Sequence, residues 1–178
     1  MKPTRAGAQG YILLEVLVTI VILVFGLLGL AGFQVRTSVA EQEAYQRVQA
    51  LILVPDMVER IYANRVNAAA YVQDDIGSSG VERTDCGPLT GKDKDVCEWH
   101  NELIGASEAL GGSSVGTLLA GQGCITAGAA NEYIVTVVWQ GLIRTVAPGS
   151  TCGQNDYGND ALRRAVSMRV QIATLSAI

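Results

Sequence analysis

The feature that most constrains this chain is an apolar run near its start, Tyr11 to Phe33. At ~1.5 Å rise per residue, a helix of 23 residues spans ~34 Å, and the hydrocarbon core of a bilayer is ~30 Å thick. The run contains one charged residue, Glu15, and residues 1–10 carry Lys2 and Arg5 but no acid. Basic residues that flank a membrane helix favour the cytoplasmic side. The pattern predicts one membrane-spanning helix whose N-terminus lies in the cytoplasm.

Three interpretations of this start compete. A single-pass anchor fits the length and the charge bias. A cleaved secretory signal fits less well, because its apolar region normally has ~7–15 residues and ends in an A-x-A-like site. Here the run is longer, and its small residues Gly29, Ala31 and Gly32 lack that pattern. Neither interpretation explains Glu15, since a carboxylate inside a membrane costs about 2.5–3.5 kcal/mol and is by default a functional hypothesis.

The third interpretation rests on residues 10–15, GYILLE. This segment resembles the class III signal of the type IV pilin superfamily, commonly written G|FTLxE. The resemblance implies that a prepilin peptidase cuts between Gly10 and Tyr11 and methylates the new N-terminus at Tyr11. It also implies that Glu15, at the fifth mature position, pairs with the terminal ammonium of a neighbouring subunit and sets the filament register. Such a pairing would make the buried carboxylate tolerable. Tyr11 departs from the usual Phe but is also aromatic.

Composition limits the class of protein through charge and length. The formal net charge is −4, and loss of Lys2 and Arg5 with the leader would make it two units more negative. Without a basic patch, nucleic-acid binding has little support. Once the leader and the apolar run are set aside, the length suggests one globular domain.

Four cysteines, Cys86, Cys97, Cys124 and Cys152, all follow the apolar run. An even number of cysteines in a domain expected beyond the membrane indicates two disulfides in an oxidising compartment. Four cysteines allow three pairings. We favour Cys86 with Cys97 and Cys124 with Cys152, because each pair then closes a shorter loop.

Helical periodicity continues past the apolar run. Apolar or small residues recur mostly at three- or four-residue spacing, which is typical of one helical stripe: Val35, Val39, Tyr45, Val48, Ile52, Val58, Tyr62, Val66 and Ala69. We therefore predict one helix from about Ile12 to about Ala70, whose amphipathic second half packs on a sheet along this stripe. Pro55 lies inside the stripe and predicts a kink, since proline removes one backbone hydrogen bond.

Charged pairs support the same helix. Glu43 with Arg47 and Asp56 with Arg60 are spaced four residues apart, with the acid first, which is the more favourable orientation.

The rest of the chain changes from loop to strand. Residues 71–96 are rich in Gly, Ser, Asp and Pro and predict a loop, and a short helix is predicted over Val96 to Leu110. Three segments predict strands, on their β-branched and aromatic content or their alternation: Gly123–Thr126, Glu132–Gln140 and Ala165–Ile172. A long N-terminal helix followed by a small antiparallel sheet is an α+β domain, the pilin-like fold that residues 10–15 imply.

These elements define four expected segments. They are a leader (1–10), a transmembrane and filament-packing half of the helix (11–33), an amphipathic half (34–70) and a periplasmic globular domain (71–178).

Short matches extend the resemblance along the chain: VLV at 16–18, GLLGLAG at 26–32, ANR at 63–65, GCI at 123–125 and WQG at 139–141. They resemble PilV, the type IV pilus modification family of minor pilins. The resemblance implies a low-abundance structural subunit with no cofactor, which joins other minor pilins and the major pilin at the inner-membrane assembly platform. Before assembly the chain would be a single-pass inner-membrane protein with its C-terminal domain in the periplasm, and afterwards part of the pilus.

Two alternatives remain at this point. A minor pseudopilin of type II secretion shares the helix and the glutamate, although the four cysteines and Gly-rich loops favour the pilus. A single-pass anchored periplasmic enzyme or binding domain would retain its N-terminus and would not need Glu15.

Enzymatic and metal motifs are weak. Residues 112–116 match G-x-S-x-G, but a nucleophile elbow requires a later histidine, and the single histidine, His100, precedes it. Cys97 and His100 have C-x-x-H spacing with Cys86 nearby, which is possible for zinc. The G-x-S-x-G match lacks its later histidine, so we expect no catalytic site. Disulfides explain the cysteines better than zinc does, so we expect no metal.

Overall fold

The computed structural model describes residues 9–77, 84–106, 109–110, 113–114 and 118–173. The chain divides into two compact units, Met1–Gln42 and Glu43–Ile178. The described elements are the helix α1 (Gln9–Ala63), a 3₁₀ helix (Arg65–Tyr71), β1 (Gln73–Ile76), the helix α2 (Gly91–Leu103), β2 (Ala109–Leu110), β3 (Ser113–Ser114), β4 (Gln122–Ala127), β5 (Glu132–Gln140), a second 3₁₀ helix (Asp160–Leu162) and β6 (Arg163–Gln171).

The long N-terminal helix is present, and its start agrees with the predicted start near Ile12, since it includes Gln9. The predicted end near Ala70 was wrong, because the helix ends at Ala63. Asn64 leaves helical geometry, with φ −112° and ψ 37°, and the chain continues as the 3₁₀ helix. The side chain of Asn67 donates from Nδ2 to Asn64 Oδ1 at 2.8 Å. Asparagine is a weak former of helix interiors, which agrees with the end of the α-helix at these two residues.

The face of α1 that packs in the second unit is not the predicted stripe. The buried residues are Ala50, Leu53, Val54, Met57, Val58 and Ile61. Of the predicted stripe within the second unit, only Val58 is buried, and Tyr45, Val48, Ile52 and Tyr62 are exposed. The prediction failed because this part of α1 is apolar on both sides, so periodicity alone does not identify the side that meets the sheet. The helix runs through Pro55 without interruption, and the kink there stays a prediction.

The second unit is an α+β domain, as predicted. Its four-stranded antiparallel sheet has the order β1-β4-β5-β6. Strand β5 has the predicted limits, and β4 and β6 differ from their predictions by one or two residues. Val135 lies opposite Ile125 on β4 and opposite Met168 on β6, so these side chains share one face of the sheet. The core contains Ile125 and Val135 together with the buried residues of α1.

The predicted loop over 71–96 was partly wrong, because it contains β1 and the start of α2. Strand β1 pairs with β4, with Ile76 opposite Gly123. Its sequence, QDDI, gives no strand signal, and three of its four residues are exposed. Helix α2 begins at Gly91, earlier than the predicted Val96, and ends at Leu103 rather than Leu110. Its start was missed because its first turn is charged and faces solvent, so it has no apolar pattern. Gly105, with φ +66°, supplies the left-handed residue that commonly follows a helix end.

Trp99 of α2 joins the helices to the sheet. It is 0% exposed, and its Nε1 donates to Leu53 O on α1 at 2.9 Å. On the opposite side its ring lies against Gly123 of β4. A Cβ at Gly123 would lie 2.2 Å from Trp99 Cη2. The glycine is therefore required by the close approach of the indole to the strand.

The other face of the sheet is covered by the chain between β5 and β6. Cys124, Val138, Cys152 and Tyr157 form a second buried cluster there. Arg163, only 1% exposed, holds this segment through Asp160 and through the carbonyl oxygens of Pro148, Ser150 and Cys152. Its guanidinium charge is thus paired and hydrogen-bonded, as a buried cation requires.

Candidate functional site

In the first unit the apolar run forms a fully exposed helix surface. Every side chain from Tyr11 to Ser38 is exposed, including Tyr11 at 74% and Phe25 at 70%. An 18-residue stretch of this helix has a mean hydropathy of 2.8, and none of that stretch is buried. The helix is therefore long and apolar enough to cross a membrane. Soluble proteins rarely expose so large an apolar area, so this surface requires a membrane or protein partners.

Glu15 is the one charged residue of the apolar run from Tyr11 to Phe33. It is exposed on α1 and forms no ion pair or hydrogen bond with any residue that the structure describes. The predicted cleavage bond, between Gly10 and Tyr11, lies within the described part of α1. An unpaired carboxylate on an apolar helix is costly in a membrane unless a positive charge from another molecule reaches it.

Three glycines on the same helix are open to close approach. A Cβ placed at Gly26, Gly29 or Gly32 would meet no atom within 4 Å. Contacts within the chain therefore give no reason for the absence of side chains at these positions. Small residues in membrane helices allow another helix to approach closely.

A second exposed apolar surface lies on α1 within the second unit. It consists of the side chains at helical spacing that the core does not use, Tyr45, Val48, Leu51, Ile52 and Tyr62, each about half exposed. The sequence prediction assigned most of these residues to the core. The signal that both sides of the helix are apolar was present in the run ALILV at 50–54, where adjacent residues must point in different directions.

The four cysteines form the two favoured disulfides. Cys86 is bonded to Cys97 with Cα atoms 5.7 Å apart, and Cys124 to Cys152 with Cα atoms 5.8 Å apart. The first attaches the chain before α2 to that helix. The second attaches the segment before β6 to β4. No group of three or more His, Cys, Asp or Glu side chains is arranged to hold a metal within the described part of the chain.

Arg60 is the centre of an ionic cluster between α1 and α2. Its guanidinium lies 2.8 Å from Asp56, 2.6 Å from Glu98 and 3.1 Å from Glu102. A fourth carboxylate, Asp95, lies 3.9 Å away. The sequence predicted only the Asp56–Arg60 pair. Glu98 and Glu102 were missed, although their four-residue spacing places both on one side of α2.

The charges of this cluster shift the pKa values of its members in opposite directions. Burial raises the pKa of Glu102 to about 7, and the negative charge of Asp56 acts in the same direction against the charge of Arg60. The hydrogen bond from Arg60 lowers the pKa of Glu98. Burial and a hydrogen bond to Asp95 raise the pKa of Tyr71 to about 12.

The chain is similar to one known family over part of its length. The family described as Tt1218-like, type IV pilin Tt1218, matches residues 32–88, which is about a third of the chain. No curated protein and no solved structure matches the chain significantly. The match supports the type IV pilin superfamily and a pilin-like structural subunit. It does not distinguish the PilV family from other pilins.

Proposed function

We propose that this chain is a minor type IV pilin of the PilV kind, a structural and assembly subunit without catalytic activity. Prepilin peptidase cleaves it between Gly10 and Tyr11 and methylates the amine of Tyr11. Glu15 then sets the register by pairing with the N-terminal ammonium of a neighbouring subunit.

The observation that carries this proposal is the exposed apolar helix with its single carboxylate, on a chain whose next segment is similar to a type IV pilin. A membrane anchor explains the apolar surface but gives no use for Glu15. Assembly explains both, because neighbouring helices cover the apolar side chains and a neighbouring amine neutralises the carboxylate.

Two further surfaces support assembly. The open positions at Gly26, Gly29 and Gly32 suit close packing of a second helix. The exposed stripe on α1 from Tyr45 to Tyr62 extends the apolar surface beyond the membrane-spanning length. In a filament this stripe would be covered by other subunits.

The proposed partners are prepilin peptidase, other minor pilins, the major pilin and the inner-membrane assembly platform. Before assembly the chain is a single-pass protein of the inner membrane, with a cytoplasmic N-terminus and a periplasmic C-terminal domain. Its two disulfides are consistent with an oxidising compartment. After assembly it belongs to the pilus.

Processing is tested by the intact mass and N-terminal sequence of the protein purified from membranes of its native host. A chain that begins at Tyr11 and carries one additional methyl group on its amine is expected. A chain that begins at Met1 would contradict the proposal and would favour a simple anchor.

Assembly is tested by Glu15→Gln, which removes the charge and keeps the size. We expect normal processing and membrane insertion but at least a tenfold loss of the subunit from sheared pili, since a loss of about 1.4 kcal/mol in pairing free energy corresponds to about tenfold. Glu41→Gln makes the same change at another exposed position of α1 and should be recruited normally. Equal recruitment of both variants would contradict the role of Glu15. Copurification with a secretion pseudopilus instead of pili would indicate the pseudopilin alternative.

A further inference from the structure

The cluster around Arg60 has more negative than positive charge. Three carboxylates contact one guanidinium within 3.1 Å. Lys94 is the next cation, 3.8 Å from Glu98. Asp95 is the fourth carboxylate, 3.9 Å from Arg60, so four carboxylates face two cations. A neutral Glu102 therefore reduces the excess of negative charge in this partly buried space from two to one.

The geometry also provides a place for a proton. Asp56 accepts from Arg60 Nε at 2.8 Å, and Glu102 accepts from Nη2 of the same guanidinium at 3.1 Å, so one guanidinium brings the two carboxyl groups together. A neutral Glu102 can donate its O–H to the Asp56 carboxylate. Two carboxyl groups so close together hold a proton more firmly than either would alone.

Charged and titratable groups surround the cluster on each neighbouring element. Facing the cluster are Asp56 and Arg60 on α1, Tyr71 on the 3₁₀ helix through Asp95, Lys94, Asp95 and Glu98 on α2, and Asp85 on the loop beside Glu98 and Glu102. The negative charges of Asp56 and Glu98 favour the protonated form of Glu102, and the charge of Arg60 opposes it.

We propose that Asp56, Arg60, Glu98 and Glu102 form a proton-dependent contact between α1 and α2. This contact is most stable while Glu102 and Asp56 share a proton, and it weakens when that proton is lost.

The sign of the effect follows from linkage. A carboxyl group whose pKa is higher in the folded chain than in the unfolded chain binds its proton more tightly when folded. Its contribution to stability is therefore greatest in acid and decreases as the pH rises, until the group is ionised in both states above about 7. Glu98, whose pKa is lowered, has the opposite dependence, but only at more acid pH.

Other parts of the surface would follow α2. The disulfide Cys86–Cys97 joins the preceding loop to this helix, and Asn101 Nδ2 donates to Thr84 O at 2.8 Å. Gly77 N, at the end of β1, donates to His100 Nδ1 at 3.0 Å. Loosening α2 would therefore change the loop and the end of β1 together. The inference does not depend on the proposed function.

The test is amide hydrogen exchange of the full chain in detergent micelles at pH 6 and pH 8.5, expressed as protection factors so that the intrinsic effect of pH is removed. We expect the protection of α2 to fall by about tenfold between these values, discounted for partial exposure of the cluster. Protection of β5 should change less, because its contacts lie within the sheet. Equal protection of α2 at both pH values would overturn the proposal.

Glu102→Gln is the decisive variant, since its neutral amide can donate to Asp56 at every pH. It should abolish the pH dependence of α2 protection. Glu59→Gln makes the same change at an exposed position of α1 and should retain it. Histidine also changes charge near neutral pH, so His100→Gln is included. If His100→Gln or Glu59→Gln abolishes the dependence and Glu102→Gln does not, the proposal is wrong.

A second measurement does not require that Glu102→Gln folds. In the unmodified chain with ¹³C-labelled glutamate, one side-chain carboxyl should titrate near pH 7. Titration of every glutamate in the ordinary acid range would overturn the proposal.

Discussion

Two stretches of the same helix, Tyr11–Phe33 and Ala50–Ile61, are both rich in apolar residues and have opposite surroundings. Phe33 is 67% exposed, whereas Ile61 is 0% exposed. The second stretch meets α2 and the sheet within its own unit, whereas every side chain of the first is exposed. The difference teaches that apolar composition identifies a surface that must be covered, and that only tertiary contacts show whether the chain covers it itself.

The largest expected effect comes from removing a side chain that packs against the buried stretch of α1 in the second unit. Trp99→Ala removes the indole between α1 and Gly123 and its hydrogen bond to Leu53 O. We expect a loss of about 3–5 kcal/mol in the free energy of unfolding of the second unit. Chemical denaturation of the full chain in micelles, followed by fluorescence of Trp139, measures it. Trp99→Phe should lose much less, and equal losses would show that the indole is not packed as described.

Removal of either disulfide should destabilise the second unit, since both disulfides lie there. Replacing Cys124 and Cys152 by Ser should cost about 3.6 kcal/mol and replacing Cys86 and Cys97 about 2.8 kcal/mol, because the first pair closes the longer loop. Denaturation of both double variants under the same conditions measures the order. The reverse order would indicate that native contacts, rather than loop length, determine the loss.

A smaller effect is expected where one hydrogen bond holds the segment before β6. Tyr157→Phe removes the donation from Tyr157 Oη to Ala120 O, which is 2.9 Å long, and leaves the ring in place. The expected loss is about 1 kcal/mol. Tyr62→Phe, on the exposed side of α1, is the matched control and should change the unfolding midpoint much less.

The smallest effect on the stability of the second unit is expected from a substitution in the apolar helix of the first unit. Glu15→Gln should change the unfolding free energy of the second unit by less than about 0.5 kcal/mol, because Glu15 belongs to the other unit and is an exposed residue without an ion pair or hydrogen bond among the described residues. Fluorescence of Trp99 and Trp139, both in the second unit, reports this midpoint without interference from the apolar helix. A large shift would show that the two regions are coupled.

Much of the fold followed from local patterns in the sequence. Strand β5 was predicted with its limits because Glu132–Gln140 combines β-branched and aromatic residues with a terminal glycine. The disulfide pairing followed from loop lengths. Strand β1 was not predictable, because its four residues are mostly polar and exposed and pair only through the backbone with β4.

The candidate site divides in the same way. Glu15 was predicted as a functional residue because an acid in an apolar run has few ordinary explanations. Cleavage between Gly10 and Tyr11 was implied by the resemblance of residues 10–15 to the pilin signal, and both stay predictions. The cluster at Arg60 was found only in part, because Glu98 and Glu102 lie 38 and 42 positions along the chain from Arg60. Contacts between distant segments leave no periodic signal in a single sequence.

The sequence by itself determined that this protein has one apolar helix with a single acid, a following helical stretch, a β-rich last third and four cysteines. Each of these depends on near neighbours, whose propensities and spacing act over a few residues. Tertiary structure decided which side of α1 faces the core and which cation the carboxylates of α2 reach. Both depend on the surfaces that distant elements present. The hydrophobic effect is not directional, so the side of α1 that becomes buried is the side that the sheet and α2 can reach.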